Sequence, residues 1–420
     1  MKRLAFRRLS FAALMLTVLA AASAAQDASR PASTNVPNAE YPRVHPDLRV
    51  TFRVSAPEAK KVQILPAPRV SNGLGDGPYD MVKDDKGFWT VTIPPAQPGL
   101  HNYYVVVDGF ASNDPGSEAF PGYGMHISAV EVPDPKGDFY AVRGVPHGEV
   151  RIRWYFSKTT DAWRRALVYL PPGYEKGAAR YPVLYLQHGS GEDETSWTRQ
   201  GRVNFILDNL IAAGKAKPMI VVMENGMVAA RPGAPKPPEK VQGILLQATP
   251  PPPAPSPSPS APAASPAPAK PAALRGNEAF GDMVVDDLIP MIDSTFRTRT
   301  DGKNRAIAGL SMGAGQACQI GLTHLDMFAY IGSFSGVLRD FDAQTSFGGA
   351  FKDAAAFNAK VKLLWFGAGK REERFSTASK MATETLTKAG VKAIFLETPF
   401  GHEWQGWRYD LLDFAPRLFK

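Results

Sequence analysis

The stretch Ala306-Ile307-Ala308-Gly309-Leu310-Ser311-Met312-Gly313-Ala314-Gly315 limits the chain more than any other. It reads as a buried strand, a tight turn and a helix. Asn304 to Leu310 is a short apolar strand after the polar turn Asp301-Gly302-Lys303, and Gln316 to Leu322 continues as helix. The turn carries Gly-x-Ser-x-Gly with Ser311 at its centre. A serine on so sharp a strand-to-helix turn has its hydroxyl pushed out of the sheet, and larger side chains at the flanking glycines would clash. The helix aims its first N–H groups at the same place, where a negative oxygen can be held.

A serine hydroxyl at neutral pH needs a base, and the base needs an orienting acid. Two histidines follow Ser311. His324 lies at the end of the same helix, too far along it to return, and reads as a helix-terminus residue. His402, in Gly401-His402-Glu403-Trp404 just after the last strand, is the expected general base. The acid is expected after the preceding strand, in Gly367-Ala368-Gly369-Lys370-Arg371-Glu372-Glu373. The residues alone do not separate Glu372 from Glu373. The backbone N–H of Met312 is one expected oxyanion donor, and the other is expected at Gly189 or Ser190 in the loop after an early strand. His188 reads as structural. The histidines are scattered, so no metal and no cofactor are expected.

Strand and helix alternate through the second part of the chain. Gly148–Phe156 and Arg165–Leu170 read as an antiparallel pair. Tyr181–Leu186, Met219–Met223, Phe328–Phe334, Lys362–Phe366 and Val391–Leu396 read as further strands. Helices are expected over Val203–Ala213, Glu278–Phe296, Phe375–Ala389 and Trp404–Phe419. This pattern indicates a mostly parallel sheet with helices on both faces, an α/β-hydrolase arrangement over residues 136–420. Residues 229–276 are proline-rich and cannot form helix or a central strand, so they read as a disordered insertion beside the expected active-site edge.

The first part reads differently. Lys2, Arg3, Arg7 and Arg8 precede an apolar run from Phe11 to Ala22 and small residues suited to cleavage, which predicts a signal peptide over 1–25. Its removal lowers the formal charge from +8 to +4, a balance that does not argue for nucleic acid. The apolar run is too short to span a bilayer comfortably, so no membrane association is expected after cleavage. The single cysteine, Cys318, excludes an intramolecular disulfide and reads as a buried packing residue. These features fit a bacterial periplasmic or secreted protein.

Residues 26–42 read as a flexible lead-in. Short alternating strands between Gly, Pro, Asn and Asp turns over 43–135 predict a small all-β sandwich. Gly87-Phe88-Trp89-Thr90-Val91, Gly99-Leu100-His101-Asn102-Tyr103-Tyr104 and Val107-Asp108-Gly109 resemble the immunoglobulin-like early-set domains, related to glycogen-binding modules, that precede many carbohydrate-active enzymes. That likeness makes Trp89, Tyr103, Tyr104 and Tyr123 either core residues or a sugar-stacking platform.

A second resemblance is more specific. Tyr181-Pro182-Val183-Leu184-Tyr185-Leu186-Gln187-His188-Gly189, Asp193-Glu194-Thr195-Ser196-Trp197, Arg305 to Gly313 and Gly401-His402-Glu403-Trp404 are similar to the esterase D-like family of feruloyl and acetyl-xylan esterases (carbohydrate esterase family one), enterochelin esterases and mycolyltransferases. The family's Gly-x-Gly-Lys-x-Asp loop, laid on Gly367 to Glu372, puts Glu372 at the acid position, with Glu in place of Asp. The resemblance implies an exported serine carboxylesterase acting on acylated polysaccharide or oligosaccharide. Ser311 is the implied nucleophile, His402 the base, Glu372 the acid, Met312 and Ser190 the oxyanion donors, and Trp197 and Asn225 pocket residues. Hydrolysis of a siderophore ester is the rival reaction, and a non-catalytic glycan-binding protein the rival of another class. Neither the acyl group nor the oligomeric state follows from these residues.

Overall fold

The computed structural model describes residues 28–67, 72–228, 276–336, 338 and 341–420. The expected signal peptide at 1–25, and all but the last residue of the insertion at 229–276, lie outside the described residues.

Among the described residues, the first part folds as two antiparallel sheets face to face. One has five strands in the order Arg30–Pro31, Arg43–Val44, Val50–Ser55, Phe88–Ile93, Val82–Lys83. The other has six, with Gly99–Val107 between Met125–Val132 and Val62–Pro66. Alternation along each strand turns Val50, Phe52, Val54, Val62, Ile64, Tyr103, Val105 and Val130 into one shared core. One expectation is corrected here. The lead-in is not loose from residue 28 onward: Arg30–Pro31 pairs with Arg43–Val44, and Ser29, Ala32 and Thr34 are buried. Of the four aromatics, two take the core alternative. Trp89 and Tyr103 are core residues, and the Tyr103 hydroxyl donates to Asp114 at 2.7 Å, because inward strand positions take the largest apolar side chains.

The second part is built on eight strands: β1 (Glu149–Ser157), β2 (Ala162–Leu170), β3 (Val183–Gln187), β4 (Ile220–Glu224), β5 (Arg305–Leu310), β6 (Tyr330–Phe334), β7 (Leu363–Gly369) and β8 (Ile394–Thr398). Their order is β1-β2-β4-β3-β5-β6-β7-β8, antiparallel at β1–β2 and β2–β4 and parallel from there on. The chain crosses between strands through α1 (Val203–Ala212), α2 (Gly276–Met283), α3 (Ile289–Thr295), α4 (Met312–Thr323) and α5 (Glu373–Lys388), and α6 (Trp404–Phe414) follows the last strand. β3 and β5 are buried along their whole length, as strands covered on both faces must be. Leu184 and Leu186 of β3 join α1 and α6 in one core, while Val183 and Tyr185 join α2, α3 and α4 in the other.

The single helix expected over 278–296 is interrupted by a π-helical turn at Val284–Leu288. The wide turn falls just before Pro290, which has no N–H to give to the carbonyl one turn back. Short helices at Ser196–Arg199, Ser346–Gly349 and Ala354–Lys360 were not expected.

The sandwich and the α/β part are joined by buried polar contacts. The fully buried Arg408 of α6 gives two hydrogen bonds to Glu131, at 2.7 and 3.0 Å, and two more to the Gln200 carbonyl. Asp134 accepts from Gln405 at 2.6 Å and Tyr409 at 2.8 Å.

Candidate active site

Ser311 stands between β5 and α4 with φ 53° and ψ −113°, a positive φ that is rare for serine. The turn tolerates no Cβ on either side. One at Gly309 would lie 2.5 Å from the Gly313 backbone, and one at Gly313 would lie 2.4 Å from the His188 carbonyl oxygen. Gly315 has open space, so only the first two glycines of the run are sterically required. The Ser311 N–H donates to the Phe334 carbonyl at 2.9 Å, fixing the turn to β6.

His402 reaches in from the loop after β8. Its Nε2 is 2.9 Å from Ser311 Oγ and its Nδ1 is 2.6 Å from Glu372 Oε2. The carboxylate fixes the tautomer: Nδ1 carries the proton donated to Glu372, leaving Nε2 free to accept one from the serine. The imidazole stacks on Phe375, with centroids 4.5 Å apart, and meets Trp407 edge-on at 5.0 Å. Glu372 is buried, and its Oε1 accepts from Ser335 Oγ and from the Gly369 N–H, both at 2.5 Å. Glu373 is exposed and opens α5. Adjacent carboxylates on a helix start point apart, and only Glu372 meets the histidine.

Ser335 went unnoticed in the sequence. It accepts from Trp407 Nε1 at 2.9 Å and donates to Glu372, so it couples α6 to the carboxylate. Its only signal was its place after β6, next to Gly336.

Glu192 is a second such residue. Its Oε2 accepts from the Gly189 N–H at 2.9 Å, and its Oε1 accepts from Trp404 Nε1 at 3.1 Å. Burial pushes its carboxyl up to about 8, against the pull of those two donors. It ties the loop after β3 to the His402 loop. The Gly189 N–H is thus engaged by Glu192 and not free for a substrate oxygen. Ser190 lines the pocket, and Met312 directly follows Ser311.

His188 is buried. Its Nε2 accepts from the Gly226 N–H and its Nδ1 donates to the Gly189 carbonyl, and burial lowers its pKa. His324 caps the end of α4, and Cys318 is buried within that helix.

Two expected pocket residues are elsewhere. Trp197 is buried in the core against Trp404 and Phe334, with its Nε1 donating to the Gln187 carbonyl at 2.9 Å. An indole at the start of a short helix turns inward here because the strand end supplies its acceptor. Asn225 does not line the pocket; its Oδ1 accepts from Met227 N, and Met227 lines the pocket instead. The pocket itself measures about 960 Å³ and contains Ser311, His402, Glu192 and Phe375. Among the described residues, no group of three or more His, Cys, Asp or Glu side chains could hold a metal, and no helix is long and apolar enough to cross a membrane.

The strand order and the serine turn define a fold of the α/β-hydrolase type. The chain belongs to the family described as "Putative esterase", whose model matches residues 157–243 and 260–418. It is 37% identical over 398 residues to an endo-1,4-beta-xylanase/feruloyl esterase of Xylanibacter ruminicola, covering 93% of this chain and 47% of that protein. The chain thus spans about half the length of that relative. Among solved structures, a CE1 ferulic acid esterase from Anaeromyces mucronatus matches with TM-score 0.51 at 21% identity, over 68% of this chain and 96% of the other. The enterobactin esterase of Shigella flexneri matches with TM-score 0.59 at 16% identity, over 88% and 92%. At these identities the two structures speak for the fold.

Proposed function

We propose that this protein is an exported serine carboxylesterase that removes feruloyl or acetyl groups from plant cell-wall polysaccharide through an acyl-enzyme. One observation carries the reading: His402 stands between Ser311 Oγ at 2.9 Å and Glu372 Oε2 at 2.6 Å, on the wall of an open pocket.

The chemistry follows from those positions. Ser311 Oγ attacks the ester carbonyl carbon while His402 Nε2 takes the hydroxyl proton. Glu372 stabilises the imidazolium. The oxyanion of the tetrahedral intermediate is held by the N–H groups of Met312 and Ser190. The C–O bond to the sugar breaks, and His402 returns its proton to the leaving oxygen. Water, deprotonated by the same histidine, then attacks the acyl-serine and releases the acid. The xylanase/feruloyl esterase relative supports the plant-wall substrate.

The sandwich, residues 43–135, is assigned to the immunoglobulin-like early-set class, and 136–420 to the esterase domain. The facing pair of antiparallel sheets supports the first assignment. The basic and apolar start of the chain supports export. A second reading, siderophore ester hydrolysis, is favoured by the enterobactin esterase likeness, which extends over 88% of this chain.

The test is hydrolysis of p-nitrophenyl acetate, methyl ferulate and acetylated xylan by the mature protein beside Ser311→Ala. Turnover by the wild type, with a loss of several orders of magnitude in the variant, is expected. Inactivity on all three, with turnover of a catecholate siderophore ester, would replace this reading by the second.

A further inference from the structure

The two loops that carry the acid and the base are tied together one residue away from each. Arg371 precedes Glu372 in the loop after β7, Glu403 follows His402 in the loop after β8, and the Arg371 guanidinium donates to Glu403 Oε1. The same oxygen accepts from the Gly401 N–H at 3.1 Å, so the Glu403 side chain folds back over the turn that presents His402. Backbone contacts accompany this pair. The Arg371 N–H donates to the Phe400 carbonyl at 3.0 Å, and a Cβ at Gly369 would lie 2.1 Å from that oxygen.

The other Glu403 oxygen, Oε2, is buried and has no hydrogen-bond partner among the described residues. It lies 3.4 Å from Nδ1 of His101, a buried residue of the sandwich strand Gly99–Val107. His101 Nε2 is 2.8 Å from the Gln97 carbonyl, which can only accept, so Nε2 carries a proton and Nδ1 is the nitrogen turned to Glu403. The ring has little room to turn away, since a Cβ at Gly73 would lie 2.1 Å from its Cε1.

The sandwich that carries His101 is itself seated against the pocket. Its strands Ala119–Gly122 and Met125–Val132 are joined by a two-residue hairpin of Tyr123 and Gly124. The Gly124 N–H donates to the Gly191 carbonyl at 2.9 Å, and a Cβ at Gly191 would lie 2.3 Å from Gly124 N. His101 therefore meets the loop of the base from a fixed direction. A buried carboxylate oxygen without a donor is costly, and an imidazole beside it can bring a proton that an apolar ring cannot. The geometry being held is tight, because a displacement of about 1 Å at such a site costs on the order of a hundredfold in rate.

We propose that Glu403 is a positioning residue that locks the loop of the base to the loop of the acid, and that His101 of the sandwich completes the lock. This rests on the esterase reading above. It makes the sandwich part of what keeps His402 and Glu372 in register.

The experiment uses the full chain and p-nitrophenyl acetate. Glu403→Ala is expected to lower kcat about tenfold or more, with KM within about twofold of wild type. The same change made in Glu372→Gln is expected to cost less than about twofold, because a lock that acts through the His402–Glu372 pair then has nothing left to hold. His101→Phe keeps a ring and removes both nitrogens, and a fall in kcat of about threefold with unchanged KM is expected. If Glu403→Ala does not fold, Arg371 carries the test from the exposed side. Arg371→Ala is expected to lose kcat as Glu403→Ala would, and Arg371→Lys, which keeps the charge, to retain most of it. Equal losses in the wild-type and Glu372→Gln backgrounds, or no loss in either, would overturn the lock while leaving the esterase reading intact. An unchanged kcat in His101→Phe would overturn the sandwich's part in it. A wild type that turns over neither this ester, methyl ferulate nor a catecholate siderophore ester would overturn the esterase reading, and the lock with it.

Discussion

Glu131 and Arg408 meet in a buried two-pronged ion pair across the seam between the sandwich and the α/β part, with hydrogen bonds of 2.7 and 3.0 Å. The guanidinium holds the Glu131 carboxyl below its usual range despite the opposing effect of burial. Removing one partner strands the other charge out of water. Glu131→Ala is expected to cost about 3–5 kcal/mol, read as a fall in thermal midpoint and in the denaturant midpoint. An unchanged melting curve would mean that water reaches Arg408.

The two neighbouring carboxylates of the loop after β7 make a direct comparison. Glu372→Gln keeps the shape but loses the charge that selects the Nδ1–H tautomer of His402. A fall in kcat of about 10³–10⁴ is expected, with KM little moved. Glu373→Gln, on the exposed side of the same turn, is expected to stay within about twofold of wild type. Steady-state kinetics on methyl ferulate distinguish the two. A large loss in the second variant and not in the first would move the acid role to Glu373.

Ser335 acts through Glu372 and touches no substrate in the proposed reaction. Ser335→Ala removes one donor to the carboxylate and leaves Trp407 Nε1 without its acceptor. A kcat lower by about tenfold is expected, with KM unchanged. A rise in KM with kcat unchanged, or no kinetic change at all, would make Ser335 a packing residue only.

Burial pushes the Glu224 carboxyl up to about 8, although Arg164 beside it pulls the other way, and one of its oxygens has no partner. Glu192 is pushed to the same level. The unfolded chain releases these protons near pH 4.5, whereas the folded chain keeps them until about pH 8. Their contribution to stability is therefore complete below pH 4.5 and is lost as pH rises to 8. Buried His188 works in the other direction, since the unfolded chain takes up its proton first as pH falls. Between pH 5 and 9 the thermal midpoint of Glu224→Gln is expected to fall less than that of the wild type, by about a few degrees. Parallel curves would show that Glu224 does not titrate in that range.

Much of the site was legible because its parts are local. The Ser311 turn announces itself through a strand, two obligatory glycines and a helix in sequence, and His402 through its place after the last strand. The choice between Glu372 and Glu373 was not legible. It depends on which of two adjacent side chains finds the Gly369 N–H and the Ser335 hydroxyl, and Ser335 lies far off in the sequence. Trp197 was misread for a similar reason: its acceptor, the Gln187 carbonyl, is set by how a short helix packs on a strand end. The eight-stranded sheet was legible where strands are continuously apolar. The ordered stretch after residue 28 was not, since its burial comes from pairing with Arg43–Val44 and not from its own composition. Tyr123 lines the same pocket as Ser311 only through the docking of one region on another, which no local pattern encodes.

The contact of Gly124 with Gly191 bears on how such a chain can be divided. Where two regions of a protein meet through side chains, either can be exchanged by resurfacing the other. Here the join includes bare backbone against bare backbone, next to an N–H group that the reaction is proposed to use. The α/β part started at residue 136 would lack the hairpin on one side of its pocket and keep Arg408 without a counter-charge. The sandwich is thus less a detachable accessory than a second half of the catalytic body, and a graft of this esterase onto another scaffold has to carry both.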